Sequence, residues 1–181
     1  MSSLLWSVRS PSGQQSWLFG SMHIRDDRVH QFGKQLYPLI LSSDGFIGEM
    51  DLDQAASNPM PGHRYDLKGY FKEKTFEKIR GSLLKSFDVD IRPLNGLHPL
   101  MIMSAISQSI LATEHQVSLD EHLWQFAVQH QIPVSGLETY EEQFSLLHSI
   151  DPGSLYRQLY KISKSPSGMR RQTSRALEWY V

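Results

Sequence analysis

Asp44-Gly45-Phe46-Ile47-Gly48-Glu49-Met50 reads as a turn followed by a short apolar strand that carries a carboxylate near its end. The Asp-Gly pair stops the chain and the β-prone run restarts it. The stretch decides the fold because of what precedes it. Residues 29–42 place Val29, Phe32, Leu36, Leu39 and Ile40 at helical spacing. Pro38 lies inside that pattern and is expected to kink or break the helix. Further upstream, residues 3–9 and 16–21 are apolar and β-prone, with Ser-Pro-Ser-Gly-Gln-Gln turn-formers between them. They read as a hairpin, or as two neighbouring strands. The order β, β, α, β predicts a sheet with a parallel crossover.

Downstream, residues 51–66 are polar and hold Pro59, Pro61 and Gly62, which reads as a long loop. Helices are predicted over 74–87 and over the apolar 99–112, which opens on a proline. Ser118-Leu119-Asp120-Glu121 has the form of a capping box, and Leu119, Leu123, Phe126 and Ala127 follow on one face. Pro133-Val134-Ser135-Gly136-Leu137-Glu138 reads as a further strand. Helices over 140–149 and 154–163 and a last one reaching Val181 complete the chain. The expected fold class is α/β, with α+β as the alternative: a central mixed sheet with an N-terminal hairpin, flanked by many helices. All 181 residues are expected to form a single domain.

Composition narrows the chemistry. Apolar residues make up 40% and charged residues 20%, as in a folded globular chain. With 18 Lys and Arg against 19 Asp and Glu, the net charge of −1 offers no general attraction to nucleic acid. There is no cysteine, so thiolate catalysis and Cys-ligated metals are excluded, and any metal must be held by His, Asp and Glu. No apolar run reaches the ~18 residues of a membrane span. The start lacks a secretory signal, so a cytoplasmic protein is expected, or an exported one whose leader lies outside this sequence.

Three predicted strands end on groups that bind metal or move protons. His23 follows the second strand in Gly20-Ser21-Met22-His23, Glu49 closes the third, and Glu138 closes the fourth. Ligands of α/β folds gather beyond the carboxyl ends of strands. If these strands are parallel neighbours, the three side chains converge on one edge, and Gly20, Gly48 and Gly136 would admit backbone or substrate close by. One imidazole and two carboxylates form an N/O set suited to Zn, Mn, Co or Fe(II). Such a metal could activate water for hydrolysis. Without one, Glu and His could share acid and base roles.

Leu4-Leu5-Trp6, Trp17-Leu18-Phe19-Gly20-Ser21-Met22-His23, the run Ser43 to Asp51, and Leu119-Asp120 through Gly136-Leu137-Glu138-Thr139 with Gln143 resemble, in order, the TraB/GumN family. That family includes the Tiki metalloproteases and is related to erythromycin esterase-like and ChaN-like proteins. The resemblance implies a divalent-metal-dependent hydrolase of peptidase type, using Mn, Co or Zn on a peptide or small acyl substrate. It puts the metal on His23 and Glu49, with His23, Glu49 and Glu138 as catalytic residues. It also implies a second Gly-x-x-His, which does not occur after His23 here, so the domain is expected to continue beyond Val181. The alternatives are a non-catalytic binding module that keeps the fold, and a haem- or metal-binding protein of ChaN-like type.

The remaining candidates read as structure. His30, His115, His122, His130 and His148 lack ligand spacing, and His98 reads as local structure before Pro99. Asp26 and Asp27 are expected to cap the following helix rather than orient His23. Asp51 and Asp53 read as loop charges or outer ligands. The basic residues of the last two helices read as a solvated face.

Overall fold

The computed structural model describes residues 4–57, 65–111 and 115–181. They form two compact units, one from the described residues of 1–59 and 113–140, the other from those of 60–112 and 141–181. The mixed α and β class stands.

The first unit opens with β1 (Leu5–Arg9) and β2 (Gln15–Phe19), an antiparallel hairpin with Trp6 opposite Leu18 and Val8 opposite Ser16. Gly13 turns the hairpin in the left-handed region at φ 87°. Next come α1 (Asp27–His30) and α2 (Gly33–Leu41). The helical pattern expected over 29–42 is thus interrupted, but before Pro38 rather than at it. Lys34 N and Gln35 N bond the carbonyls of Gln31 and Phe32, three residues back, which tightens the chain between the two helices. Pro38 is accommodated within α2, and its own carbonyl still accepts from Ser42 N at 3.2 Å.

β3 (Phe46–Met50) pairs in parallel with β4 (Val134–Glu138), with Gly48 opposite Gly136 and Met50 opposite Glu138. The hairpin and this pair are separate two-stranded sheets among the described residues, where the sequence pattern suggests one mixed sheet. α3 (Leu52–Ser57) follows β3, and α7 (Leu119–Gln129) precedes β4. Part of the loop expected over 51–66 is therefore helical, and Pro59, Pro61 and Gly62 lie outside the described residues. α7 covers one face of the parallel pair. Trp124 is buried there against Gly48, where an added Cβ would stand 3.1 Å from the indole. Gly136 admits the Met50–Asp51 peptide, which a side chain would overlap. The close approaches anticipated at Gly48 and Gly136 are thus made by the protein itself.

The second unit is helical: α4 (Leu67–Tyr70), α5 (Glu73–Phe87), α6 (Pro99–Ile110), α9 (Pro152–Lys164) and α10 (Pro166–Tyr180), with most of α8 (Tyr140–Ser149). Phe76, Ile79 and Leu83 of α5 recur at helical spacing and close a core with Ile102 and Ile106 of α6 and Leu159 of α9, all nearly free of solvent. Asp151 caps α9 ahead of Pro152, and His98 caps α6 ahead of Pro99, its ring nitrogen 3.3 Å from Leu100 N. No helix among the described residues is long and apolar enough to cross a membrane.

Candidate functional site

His23 stands beyond the end of β2. Ile24 N donates to the Met22 carbonyl at 2.6 Å, a three-residue turn centred on His23. Ile24 is buried while the His23 side chain stays 64% exposed, so the turn is anchored by its neighbour and presents the imidazole outward. Glu49 reaches the same place from β3. Strand alternation puts it on the face away from the buried Trp124, with its side chain 58% exposed.

The two meet at 2.8 Å, His23 Nε2 to Glu49 Oε2. The other ring nitrogen, Nδ1, lies 2.9 Å from Oδ2 of Asp120. That second contact is an ion pair off the hydrogen-bond line, and Oδ2 has no well-aligned donor. The imidazole is therefore held between two carboxylates. Asp120 sits in the first turn of α7, where Ser118 caps the helix by accepting from Glu121 N. The positive end of the helix favours an ionised carboxylate there.

Charge follows from this arrangement. Asp120, then Glu49, outweigh the cost of partial burial and push His23 up to about 9, so at neutral pH it is an imidazolium. Burial alone would raise Asp120, but the neighbouring His23 imidazolium and the Ser21 hydroxyl leave it below the usual carboxylate range.

Glu138 does not join this group. It lies in register with Met50, so alternation turns it to the opposite face from Glu49. It makes no hydrogen bond or ion pair with His23 or Glu49 among the described residues. Asp120 is the residue that reading the sequence passes over. Ser118-Leu119-Asp120-Glu121 announces a helix start, and the single clue was a carboxylate in that first turn.

Of the other acidic candidates, Asp26 and Asp51 act as caps, and Asp27 pairs with His115. Asp26 accepts from Arg28 N and grips the Arg28 guanidinium, which holds its carboxyl below the usual range. Asp51 accepts from the amides of Asp53 and Gln54 at the start of α3.

The donor chemistry fits half of a metal site. An imidazole nitrogen and a carboxylate oxygen face each other, and a second carboxylate stands beside the other ring nitrogen. Among the described residues no group of three or more His, Asp or Glu side chains is placed to hold a metal ion. Taken together, the pair would supply two ligands.

No curated protein and no solved structure matches the chain. The model of the TraB/PrgY/gumN family matches residues 4–180, so the Gly20–His23 turn, the β3 strand bearing Glu49 and the α7–β4 segment all lie within that match, and the chain belongs to this family.

Proposed function

We propose that this protein serves as a divalent-metal-dependent hydrolase of peptidase type, acting on a peptide or small acyl substrate, with His23 and Glu49 as its metal-binding pair. The observation that carries the reading is the placement of His23 between Glu49 at 2.8 Å and Asp120 at 2.9 Å. An imidazole backed by a carboxylate and facing a second oxygen donor is the usual environment of a histidine ligand.

In this reading Asp120 holds the proton of Nδ1, which leaves Nε2 as the ligating nitrogen once its own proton is lost. Glu49 takes the oxygen position and can accept a proton from attacking water. Asp120 is a positioning residue, because it acts through His23. Glu138 is assigned a supporting role on the other face of the strand pair. A divalent Zn, Mn or Co ion, when bound, would supply polarisation of a carbonyl and activation of water.

A second reading has an observation of its own. His23 has both nitrogens engaged by carboxylates, which is also how an imidazolium acts as a salt link between α7 and β3. On that view the chain is a binding module without catalysis.

Metal analysis of the purified chain separates the two readings. The hydrolase reading expects stoichiometric Zn, Mn or Co, lost in His23→Ala and in Glu49→Ala. It expects affinity to fall about 10–100-fold in Asp120→Asn, the usual cost of removing an orienting carboxylate. Metal that survives both ligand changes, or metal that never binds, leaves the module reading standing.

A further inference from the structure

The helical unit holds a cavity of about 230 Å³ between α5 and α9. Thr75, Lys78 and Ser82 of α5 line it, with Tyr160, Ser163 and Lys164 of α9. Each set recurs at helical spacing and so shares one helix face. The apolar part of the lining is Ile79, which also belongs to the core.

Two of the hydroxyls are committed to the walls. Ser82 Oγ donates to the Ser163 carbonyl at 2.6 Å, and Ser163 Oγ donates to the Tyr160 carbonyl at 2.7 Å. Ser165 N donates to the carbonyls of Lys161 and Ile162. These carbonyls of the last turn of α9, which would repel an anion, are thereby satisfied. The uncommitted polar hydrogens are those of Lys78, Lys164, Thr75 and Tyr160, whose side chains make no hydrogen bond or ion pair among the described residues.

Charge points the same way. No carboxylate is among the lining residues, and α9 carries no Asp or Glu. On α5, Glu73 pairs with Lys68, and Glu77 pairs with Arg80 and Arg92. The described residues of the helical unit hold 13 Lys and Arg against 9 Asp and Glu, whereas those of the strand-bearing unit hold 4 against 9. The near-neutral total conceals a basic helical unit. Lys164 is not simply extended into solvent: its ammonium lies 5.2 Å from the centre of the Tyr160 ring.

We propose that this cavity binds a phosphate monoester, with the Lys78 and Lys164 ammonium groups as its cationic contacts and the Thr75 and Tyr160 hydroxyls as donors. Two ammonium groups match a phosphate monoester, which carries about −1.5 to −2 charge at pH 7 and three oxygen acceptors. A carboxylate bears a single charge, is planar, and suits a guanidinium fork better. The volume is below the roughly 300–1,000 Å³ of pockets that take drug-sized ligands, so it admits the phosphate and a short attached chain. His23, Glu49 and Asp120 take no part, so the site is independent of the hydrolase reading.

The test follows backbone amide shifts of the whole 181-residue chain during titration with glycerol 3-phosphate and with inorganic phosphate. Saturable shifts are expected at Thr75, Lys78, Ser163 and Lys164, with a dissociation constant of about 1 mM or below. Lys78→Gln and Lys164→Gln should each weaken binding about tenfold or more, the usual cost of losing a charged contact. Both positions are exposed, so neither change disturbs the core. Lys164→Arg should retain binding. Lys161→Gln removes the same charge outside the cavity and should have little effect. Vesicles of phosphatidylcholine with phosphatidic acid separate the sources. Co-sedimentation that both Lys→Gln variants lose, and that phosphatidylserine does not reproduce, puts the ester on a lipid headgroup; binding of the soluble ester alone puts it on a small molecule. The proposal is overturned if such vesicles fail to bind and the soluble probes give no saturable shift, or only shifts that chloride reproduces at equal ionic strength. Binding that survives unchanged when Lys78→Gln and Lys164→Gln are combined overturns it equally.

Discussion

The two units use charge clusters that look alike on paper and behave differently. In the helical unit, Arg80 grips Asp90 through two bonds of 2.8 and 2.7 Å, and Arg92 binds Glu77 at 2.7 Å. Arg80, with the Arg92 backbone amide, brings the Asp90 carboxyl down to about 2. In the strand-bearing unit, His23 takes the central place between Glu49 and Asp120. A guanidinium keeps its proton throughout the working range and offers no lone pair. Its cluster can neither ligate a metal ion nor act as a base. An imidazole can give up its proton and then ligate or act as a base. The identity of the central cation, more than the geometry of the ion pairs, separates a brace from a candidate site. The units also differ in packing. The helical unit closes on a contiguous apolar core. The strand-bearing unit leaves Ile47 and Leu137 exposed beside Glu49, and Trp6, Val8 and Leu18 exposed on the hairpin.

This contrast can be broken at several points, and the largest effect is expected in the helical core. Phe76 has no solvent exposure, so Phe76→Ala should cost about 3–5 kcal/mol in a denaturant titration. A loss well under 1 kcal/mol would show that the core is not what holds that unit. Gly136→Ala comes next. Its methyl would overlap the Met50–Asp51 peptide, and a loss of about 1–3 kcal/mol is expected from overpacking. Gly81→Ala is the matched control, because nothing stands within 4 Å of its Cβ position in α5, and it should gain about 0.5–1 kcal/mol.

The charge clusters give smaller and more diagnostic effects. His23 is raised in the fold from 6.5 to about 9. Its contribution is therefore complete below 6.5 and is lost as pH rises through about 9. Thermal midpoints should decline between pH 7 and pH 10, and Asp120→Asn should flatten that decline while an NMR titration shows His23 falling back toward 6.5. A His23 titration unchanged by Asp120→Asn would remove Asp120 from the site. The smallest effect is expected from Asp90→Asn. It should weaken the fold slightly, without any change between pH 6 and pH 9, and raised salt should shrink the difference, because that pair is open to solvent. A pH dependence there would erase the distinction between the two clusters.

Much of this fold is legible locally. The strand Phe46–Met50 announces itself by its turn and its β-prone run, α7 by Ser118, α9 by Asp151 and Pro152, and α5 by Phe76, Ile79 and Leu83. All of these are encoded within one or two turns of chain. The break between α1 and α2 was less visible, because Pro38 advertises a disruption that falls instead around Gln31 and Phe32. The site divides in the same way. His23 and Glu49 could be picked out because each follows or closes a strand. Asp120 could not, since a carboxylate in a first helical turn has the same local appearance whether or not an imidazole lies beside it.

What the amino-acid order determined by itself was the alternation of elements, the caps, the absence of thiol chemistry and the two strand-end groups His23 and Glu49. Periodicity and turn chemistry act over a few residues, so they can be read without knowing the fold. Only the tertiary structure decided that Glu138 turns away while Asp120 turns in, and that three histidines without ligand spacing meet around His30. A one-residue difference in register moves a strand side chain to the other face. Whether two distant groups meet depends on which helix covers which strand, and no local pattern carries that information.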